Sequence, residues 1–86
     1  MTGIHERLAN VETHESTCPG LETVNLARRS AKLMITNDSA TTDLRVTLQG
    51  TEHITLKPTE TITLPFRTQT IDLLGANVPY RIWSFS

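Results

Sequence analysis

The residues of this chain that could do metal chemistry are few. His14 and Cys18 are four positions apart, as two ligands on one helical turn would be. A tetrahedral zinc site needs a second pair of ligands, and Cys18 is the only cysteine of the chain. We therefore predict neither a metal site nor a bound cofactor.

A catalytic triad of Ser39, Asp43 and His53 can be written from the letters alone. Ser39 follows Asn37 and Asp38 in a turn-rich stretch without the glycines of a nucleophile elbow, so nothing positions its hydroxyl for attack. The four glycines are scattered and form no phosphate-binding loop. Each of these possible catalytic arrangements lacks a partner residue that it would need. We therefore expect no catalytic residues and a protein that is not an enzyme.

The elements that would position such residues are short strands. From residue 31 onward apolar residues recur at every second position, with threonines between them and turn-forming residues between the runs. The predicted strands are 31–37, 42–48, 53–57, 61–66, 69–74 and 78–85. This pattern predicts an all-β fold, a small β-sandwich or jelly-roll-like barrel of about six strands with an N-terminal arm.

Three prolines constrain the strand connections. Pro58 disfavours a tight two-residue hairpin, so we expect a wider turn there, or a corner between sheets. Pro65 lacks an N–H group and places the 61–66 strand at a sheet edge or ends its pairing. By the same argument, Pro79 places the start of the last strand at a sheet edge or ends its pairing there.

Residues 1–30 read differently from the β-sandwich domain predicted for residues 31–86. Ile4, Leu8 and Val11 fit one helical stripe, and Val24 and Leu26 could begin a strand. Ordering this segment costs more than burial of its few apolar residues returns, so we predict a partner-binding arm that lies along another subunit or adds a strand to a sheet edge. A disordered tail is the alternative. The predicted arm interface is Ile4, Leu8, Val11, Leu21, Val24 and Leu26.

The last strand carries most of the aromatic residues. Tyr80 and Ile82 share one face, and Arg81, Trp83 and Phe85 share the other. Three interpretations stay open. In the first, the strand is central and buried on two sides, or the C-terminus folds over its own core. In the second, Tyr80, Arg81, Trp83 and Phe85 contact another copy or a partner. In the third, Trp83 and Tyr80 stack on a sugar.

Composition excludes several classes of partner. The formal net charge of the 86-residue chain is -1, and no basic run exceeds Arg28-Arg29, which argues against nucleic acid and anionic lipid. The N-terminus has no signal-like apolar stretch, and no segment approaches the length of a membrane span. The single cysteine fits folding in a reducing cytoplasm.

Several soft motifs suggest a family. They are an Asn37-Asp38 turn after a strand, the corner Leu56-Lys57-Pro58-Thr59-Glu60, the run Leu64-Pro65-Phe66-Arg67, and a Gly75 turn before the last strand. Together they resemble small β-rich virion proteins of tailed bacteriophages and gene transfer agent particles, namely capsid decoration or cement proteins and head-spike or fibre base proteins.

The resemblance implies a structural subunit located in the virion and assembled in the host cytoplasm. It would be a homo-oligomer, with a trimer favoured, attached to the major capsid protein or another virion protein through its arm and one sheet edge. The alternatives are a neck, tail or baseplate subunit of a phage, and a small carbohydrate-binding module that uses Trp83 and Tyr80.

Overall fold

The fold is an all-β sandwich of two antiparallel sheets. The computed structural model describes residues 10–48, 53–65 and 67–86. Its strands are β1 (Val11–Cys18), β2 (Leu21–Asn25), β3 (Lys32–Asn37), β4 (Leu44–Leu48), β5 (His53–Leu56), β6 (Thr61–Leu64), β7 (Thr70–Leu74) and β8 (Val78–Phe85). No helix long and apolar enough to span a bilayer occurs in those three ranges.

Each sheet contains four strands. The order is β1-β8-β3-β6 in the first, which we call sheet A, and β2-β7-β4-β5 in the second, sheet B. The predicted fold class is confirmed, and strands β3 to β8 are the six predicted strands. The strand count is eight rather than about six, because two further strands form within the segment predicted as an arm.

The core lies between the sheets and follows from the alternation of the strands. In β8, Val78, Tyr80, Ile82 and Ser84 point inward and are buried, while the residues between them are only half-buried. Leu33 and Ile35 of β3 and Ile71 and Leu73 of β7 are fully buried in the same core. The alternation of apolar and polar residues thus gives each sheet one buried face and one more exposed face.

The prolines act at the sheet boundaries, with one exception. The chain crosses from β5 in sheet B to β6 in sheet A at Pro58 and Thr59, as predicted, and Thr59 adopts a positive φ of 66°. Strand β6 is an edge strand that ends before Pro65, also as predicted. For Pro79, an edge position is wrong because β8 lies centrally between β1 and β3, but the pairing of β8 with β3 does end at Tyr80, next to Pro79.

Pro79 is tolerated in a central strand because of its position. It is the second residue of β8, where its carbonyl accepts a hydrogen bond from the Asp38 N–H at 2.9 Å. Its missing N–H therefore costs one bond at the end of the β3–β8 pairing, beyond Asn37. The aromatic run is a central strand that is buried on the face of Val78, Tyr80 and Ile82 and half-buried on the face of Arg81, Trp83 and Phe85. An interface role of the half-buried face stays a prediction.

Candidate functional site

The interior of the sandwich is a packed core. Its buried side chains are apolar or neutral, and among the described residues no charged side chain is buried there. The same residues contain no group of three or more His, Cys, Asp or Glu side chains that could hold a metal ion. A candidate site must therefore be sought at the surface or at an edge.

The residues that the sequence offered for chemistry do not come together. Ser39 Oγ accepts hydrogen bonds from the backbone N–H groups of Thr41 at 3.1 Å and Thr42 at 2.9 Å, which makes it a turn residue. Asp43 pairs with Lys57 at 3.6 Å, and His53 is exposed at the start of β5. No hydrogen bond or ion pair joins any two of Ser39, Asp43 and His53.

His14 and Cys18 lie on one strand rather than on a helix. Cys18 is fully buried, and its thiol donates to the Leu73 carbonyl at 3.7 Å. His14 Nε2 lies 2.6 Å from Glu12 Oε2, and the Glu12 carboxylate also accepts the Ala27 N–H at 2.9 and 3.1 Å. The Glu12 carboxylate thus connects β1 to the segment after β2. The Glu12–His14 pair therefore has a structural role, in holding this segment against β1.

Tyr80 makes a second polar contact between the sheets. Its hydroxyl donates to Glu22 of β2 at 3.0 Å, and the Tyr80 ring is 2% exposed. Burial, followed by the neighbouring Glu22 carboxylate, raises the pKa of Tyr80 to about 12. Tyr80 therefore faces inward, and its ring cannot serve as a stacking surface for a sugar.

The other predicted aromatic residues point outward from sheet A. The Arg81 guanidinium binds Asp38 through two hydrogen bonds of 2.7 and 2.9 Å and lies 5.2 Å from the centre of the Trp83 ring. The Asp38 carboxylate raises the pKa of Arg81. Lys32 Nζ is 5.4 Å from the centre of the Phe85 ring. Each half-buried ring thus has a cation of its own chain beside it.

Strand β1 continues this outer face to the edge of sheet A. In the antiparallel register, Val11 lies opposite Phe85, Thr13 opposite Trp83, and Glu15 opposite Arg81. Val11 is 51% exposed, so the apolar row that it forms with Phe85 is open to solvent at its outer end.

The hydrogen-bonding groups of β1 divide by parity. The Ser86 N–H donates to the Asn10 carbonyl at 3.0 Å, in line with the β1–β8 register, so the even-numbered residues of β1 are those that bond to β8. The N–H and C=O groups of the odd-numbered residues point away from β8. We call these groups, on Val11, Thr13, Glu15 and Thr17, the β1 edge. Among the described residues, β8 is the only strand paired with β1.

The other edge strands are shorter. Strand β2 has five residues, and β5 and β6 have four each, against eight in β1. Strand β6 is in addition flanked by Pro58 and Pro65. Strand β1 contains neither proline nor lysine, and its register with β8 runs without a bulge from Val11 to Cys18. Among the described residues, the β1 edge therefore has no proline, lysine or bulge to prevent pairing with another chain, and the only acidic side chains of β1 are Glu12 and Glu15.

The predicted arm residues are divided among several environments. Ile4 and Leu8 lie outside the described residues. Val24 and Leu26 are buried in the core of this chain, so they are not available to a partner. Val11 and Leu21 are exposed, and their interface role stays a prediction. The sequence reasoning missed β1, although Val11, Thr13 and Thr17 alternate with polar residues as in a half-exposed strand.

Comparison with known proteins finds solved structures with a similar fold, two of which are described as cupin proteins. No protein-family model and no curated protein matches the chain. A solved structure of an RmlC-like cupin protein from Desulfovibrio desulfuricans is similar, with a TM-score of 0.63 and 10% identity over 88% of this chain and 72% of that one. A cupin-2 domain containing protein from Shewanella frigidimarina has a TM-score of 0.57 and 12% identity over 88% and 71%. Protein NMB1881 from Neisseria meningitidis has a TM-score of 0.61 and 12% identity over 88% and 74%.

These findings overturn the predicted family. These similar structures are bacterial proteins, two of them described as cupins and none as a virion protein, so the predicted resemblance to virion proteins of phages and gene transfer agent particles is wrong. The virion function and virion location that it implied are wrong with it, as are the alternative phage roles. At these identities the comparison shows the fold alone. The motifs behind the resemblance are turns and corners that small antiparallel sandwiches share.

Proposed function

We propose that this chain is a non-enzymatic, homo-oligomeric domain that assembles by strand addition at the β1 edge. The observation that carries the proposal is the pairing of β1, whose eight residues bond to β8 on one side and present a regular row of N–H and C=O groups on the other. Such a row is a ready template for an added strand.

Apolar surface beside the β1 edge supports the proposal. Val11 is 51% exposed, although it is a β-branched apolar residue in the first position of a strand. A strand added to the β1 edge would lie about 4.8 Å away and would cover the Val11 side chain on its open flank. The added strand would therefore bring apolar burial as well as backbone hydrogen bonds.

The chemistry of the described residues supports the non-enzymatic part of the proposal. The Glu12 carboxylate and the Tyr80 hydroxyl are the best-placed reactive groups, and each is engaged in a contact that joins the two sheets. A general acid or base needs reach to a substrate as well as a partner that tunes it. Glu12 lines a surface cavity, but its carboxylate already accepts the Ala27 N–H, and Tyr80 is buried.

The test uses proline at two edges of the same sheet. Thr13→Pro removes an N–H that points away from β8, so it leaves the fold of one copy intact and blocks an added strand. Thr63→Pro is the matched control. The Asn37 N–H donates to the Glu60 carbonyl, so by alternation the Thr63 N–H points away from β3 at the opposite edge.

Sedimentation equilibrium across a range of concentrations should show a reversible oligomer for the wild-type chain and for Thr63→Pro. Loss of one inter-chain hydrogen bond per copy should weaken a two-copy contact of Thr13→Pro by about 1 to 3 kcal/mol, or roughly 5- to 150-fold. Thr13→Lys, which places a charge at the same edge, should act in the same direction. A wild-type chain that stays monomeric up to several hundred micromolar, or equal effects of the two prolines, would overturn the proposal.

A further inference from the structure

We infer that the oligomer is a closed dimer in which the β1 strands of two copies pair antiparallel about a two-fold axis at His14, giving one continuous eight-stranded sheet. The inference rests on the proposed function. It follows from three properties of β1. The strand is long enough to pair with its own copy, the groups free to pair belong to its odd-numbered residues, and each register would bring different charges together.

Closure follows from the choice of strands. If β1 of one copy pairs with β1 of another, each copy uses the longest edge strand of the described residues, and the contact is the same for both. The opposite edge of sheet A is β6, which is half as long and ends before Pro65. A pair formed in this way therefore does not grow into a longer fibre.

Parity limits the register. Directly opposed residues of an antiparallel pair lie on the same face of the sheet, and the outward N–H and C=O groups belong to odd-numbered residues. The symmetric registers that oppose odd residues with odd residues and use most of β1 are centred on Thr13, His14 or Glu15. Any register that opposes odd with even residues would place the partner's inner face on the outer side of the sheet.

Charge and length select one of these three registers. Centring on Glu15 places two glutamates directly opposite each other, which is destabilising. Centring on Thr13 leaves Thr17 without a partner within β1. Centring on His14 pairs all four residues of the β1 edge, Val11 with Thr17 and Thr13 with Glu15. It places no two carboxylates opposite each other.

In the register centred on His14, the imidazoles of the two copies meet at the axis on the inner side of the sheet. His14 is partly exposed there, with 31% of its side chain accessible, and each imidazole keeps its own Glu12 partner at 2.6 Å. On the outer side, Val11 packs beside Thr17 of the second copy. The strand order of the joined sheet is β6-β3-β8-β1 in one copy, continued by β1-β8-β3-β6 in the other.

Cysteine substitution distinguishes the registers. Residues on the axis form a non-hydrogen-bonded pair with Cα atoms about 4.5 Å apart, inside the range that a disulfide spans. Thr13→Cys and Glu15→Cys are displaced along the strands, which places identical residues about 8 to 9 Å apart, too far for a disulfide. Under mild oxidation, His14→Cys should therefore run as a cross-linked dimer on a non-reducing gel, while Thr13→Cys and Glu15→Cys stay monomeric.

The wild-type chain, with its buried Cys18, is the control for adventitious cross-linking. A second measurement leaves His14 intact. An equimolar mixture of Val11→Cys and Thr17→Cys should cross-link, because these residues oppose each other across the axis at about 5.5 Å, whereas either variant alone should not.

The outcomes separate the two claims. Cross-linking of Thr13→Cys or Glu15→Cys in place of His14→Cys would overturn the inferred register. Failure of both the His14→Cys variant and the Val11→Cys and Thr17→Cys mixture, with a wild-type oligomer still seen by sedimentation, would overturn the dimer geometry and leave the proposed function standing. A monomeric wild-type chain would overturn both.

Discussion

Truncation of Asn37 should cost more stability than truncation of any exposed polar residue. Asn37 is fully buried at the end of β3, where its side-chain NH₂ donates to the carbonyls of Thr42, Leu56 and Lys57 at 2.9, 3.0 and 3.2 Å. Its side-chain oxygen accepts the Ser39 N–H at 2.9 Å. One amide thus ties sheet A to the end of β5 in sheet B.

The magnitude follows from the groups that Asn37→Ala would leave behind. A buried donor or acceptor without a partner costs about 1 to 3 kcal/mol, and the Leu56 carbonyl and the Ser39 N–H lie in the buried part of this network. We therefore expect a loss of about 3 kcal/mol in the free energy of unfolding. A chain of this length has a total stability of about 4 to 13 kcal/mol, so the loss is a large fraction.

The assay is equilibrium unfolding in urea, followed by the fluorescence of Trp83, the only tryptophan. All variants are compared at one protein concentration, because self-association adds to apparent stability. The control is Asn25→Ala, which truncates an exposed asparagine of β2 and should change the stability by less than about 0.5 kcal/mol. A loss below about 1 kcal/mol for Asn37→Ala would refute the argument from buried hydrogen bonds.

Three further predictions concern the turns and the buried tyrosine. Gly75→Ala would place a Cβ 2.8 Å from Val78 Cγ2, so its melting temperature should fall with a loss of about 1 to 3 kcal/mol; an unchanged value would contradict this contact. Thr59→Gly relieves a β-branched residue at positive φ and should stabilise the chain by about 1 kcal/mol, more than Asn77→Gly does. Because the pKa of Tyr80 is raised to about 12, its contribution to stability is fully present below about pH 10. That contribution should be lost as the pH rises toward 12, a loss that Tyr80→Phe should not show in urea titrations at each pH.

The sequence predicted the fold where apolar residues alternate. The strands β3 to β8 were found because Leu33, Ile35, Val46 and Ile71 mark an inner face that is then buried. Strand β1 was missed because its inner face carries the polar residues Glu12, His14 and Ser16, which are half-buried or exposed rather than part of the core. An arm was predicted because few apolar side chains of residues 1–30 could be buried. The backbone hydrogen bonds between β1 and β8 also stabilise this segment, and they become visible only once the fold is known.

The candidate site was predicted only in part. The outward grouping of Arg81, Trp83 and Phe85 follows from the period of a strand, and the structure places all three there. The inward position of Tyr80 on the opposite face follows from the same period. Which strand stands at the edge beside them depends on long-range pairing, which no local pattern contains, so the β1 edge was not predicted from sequence.

Hydrogen exchange of the individual amides of β1 shows whether a strand of a second copy pairs with the β1 edge. If it does, the odd-numbered amides, those of Val11, Thr13, Glu15 and Thr17, should be protected at high protein concentration and exchange quickly on dilution. The even-numbered amides within β1, which bond to β8, should be protected at both concentrations. Odd-numbered amides that exchange quickly at every concentration would contradict pairing at the β1 edge.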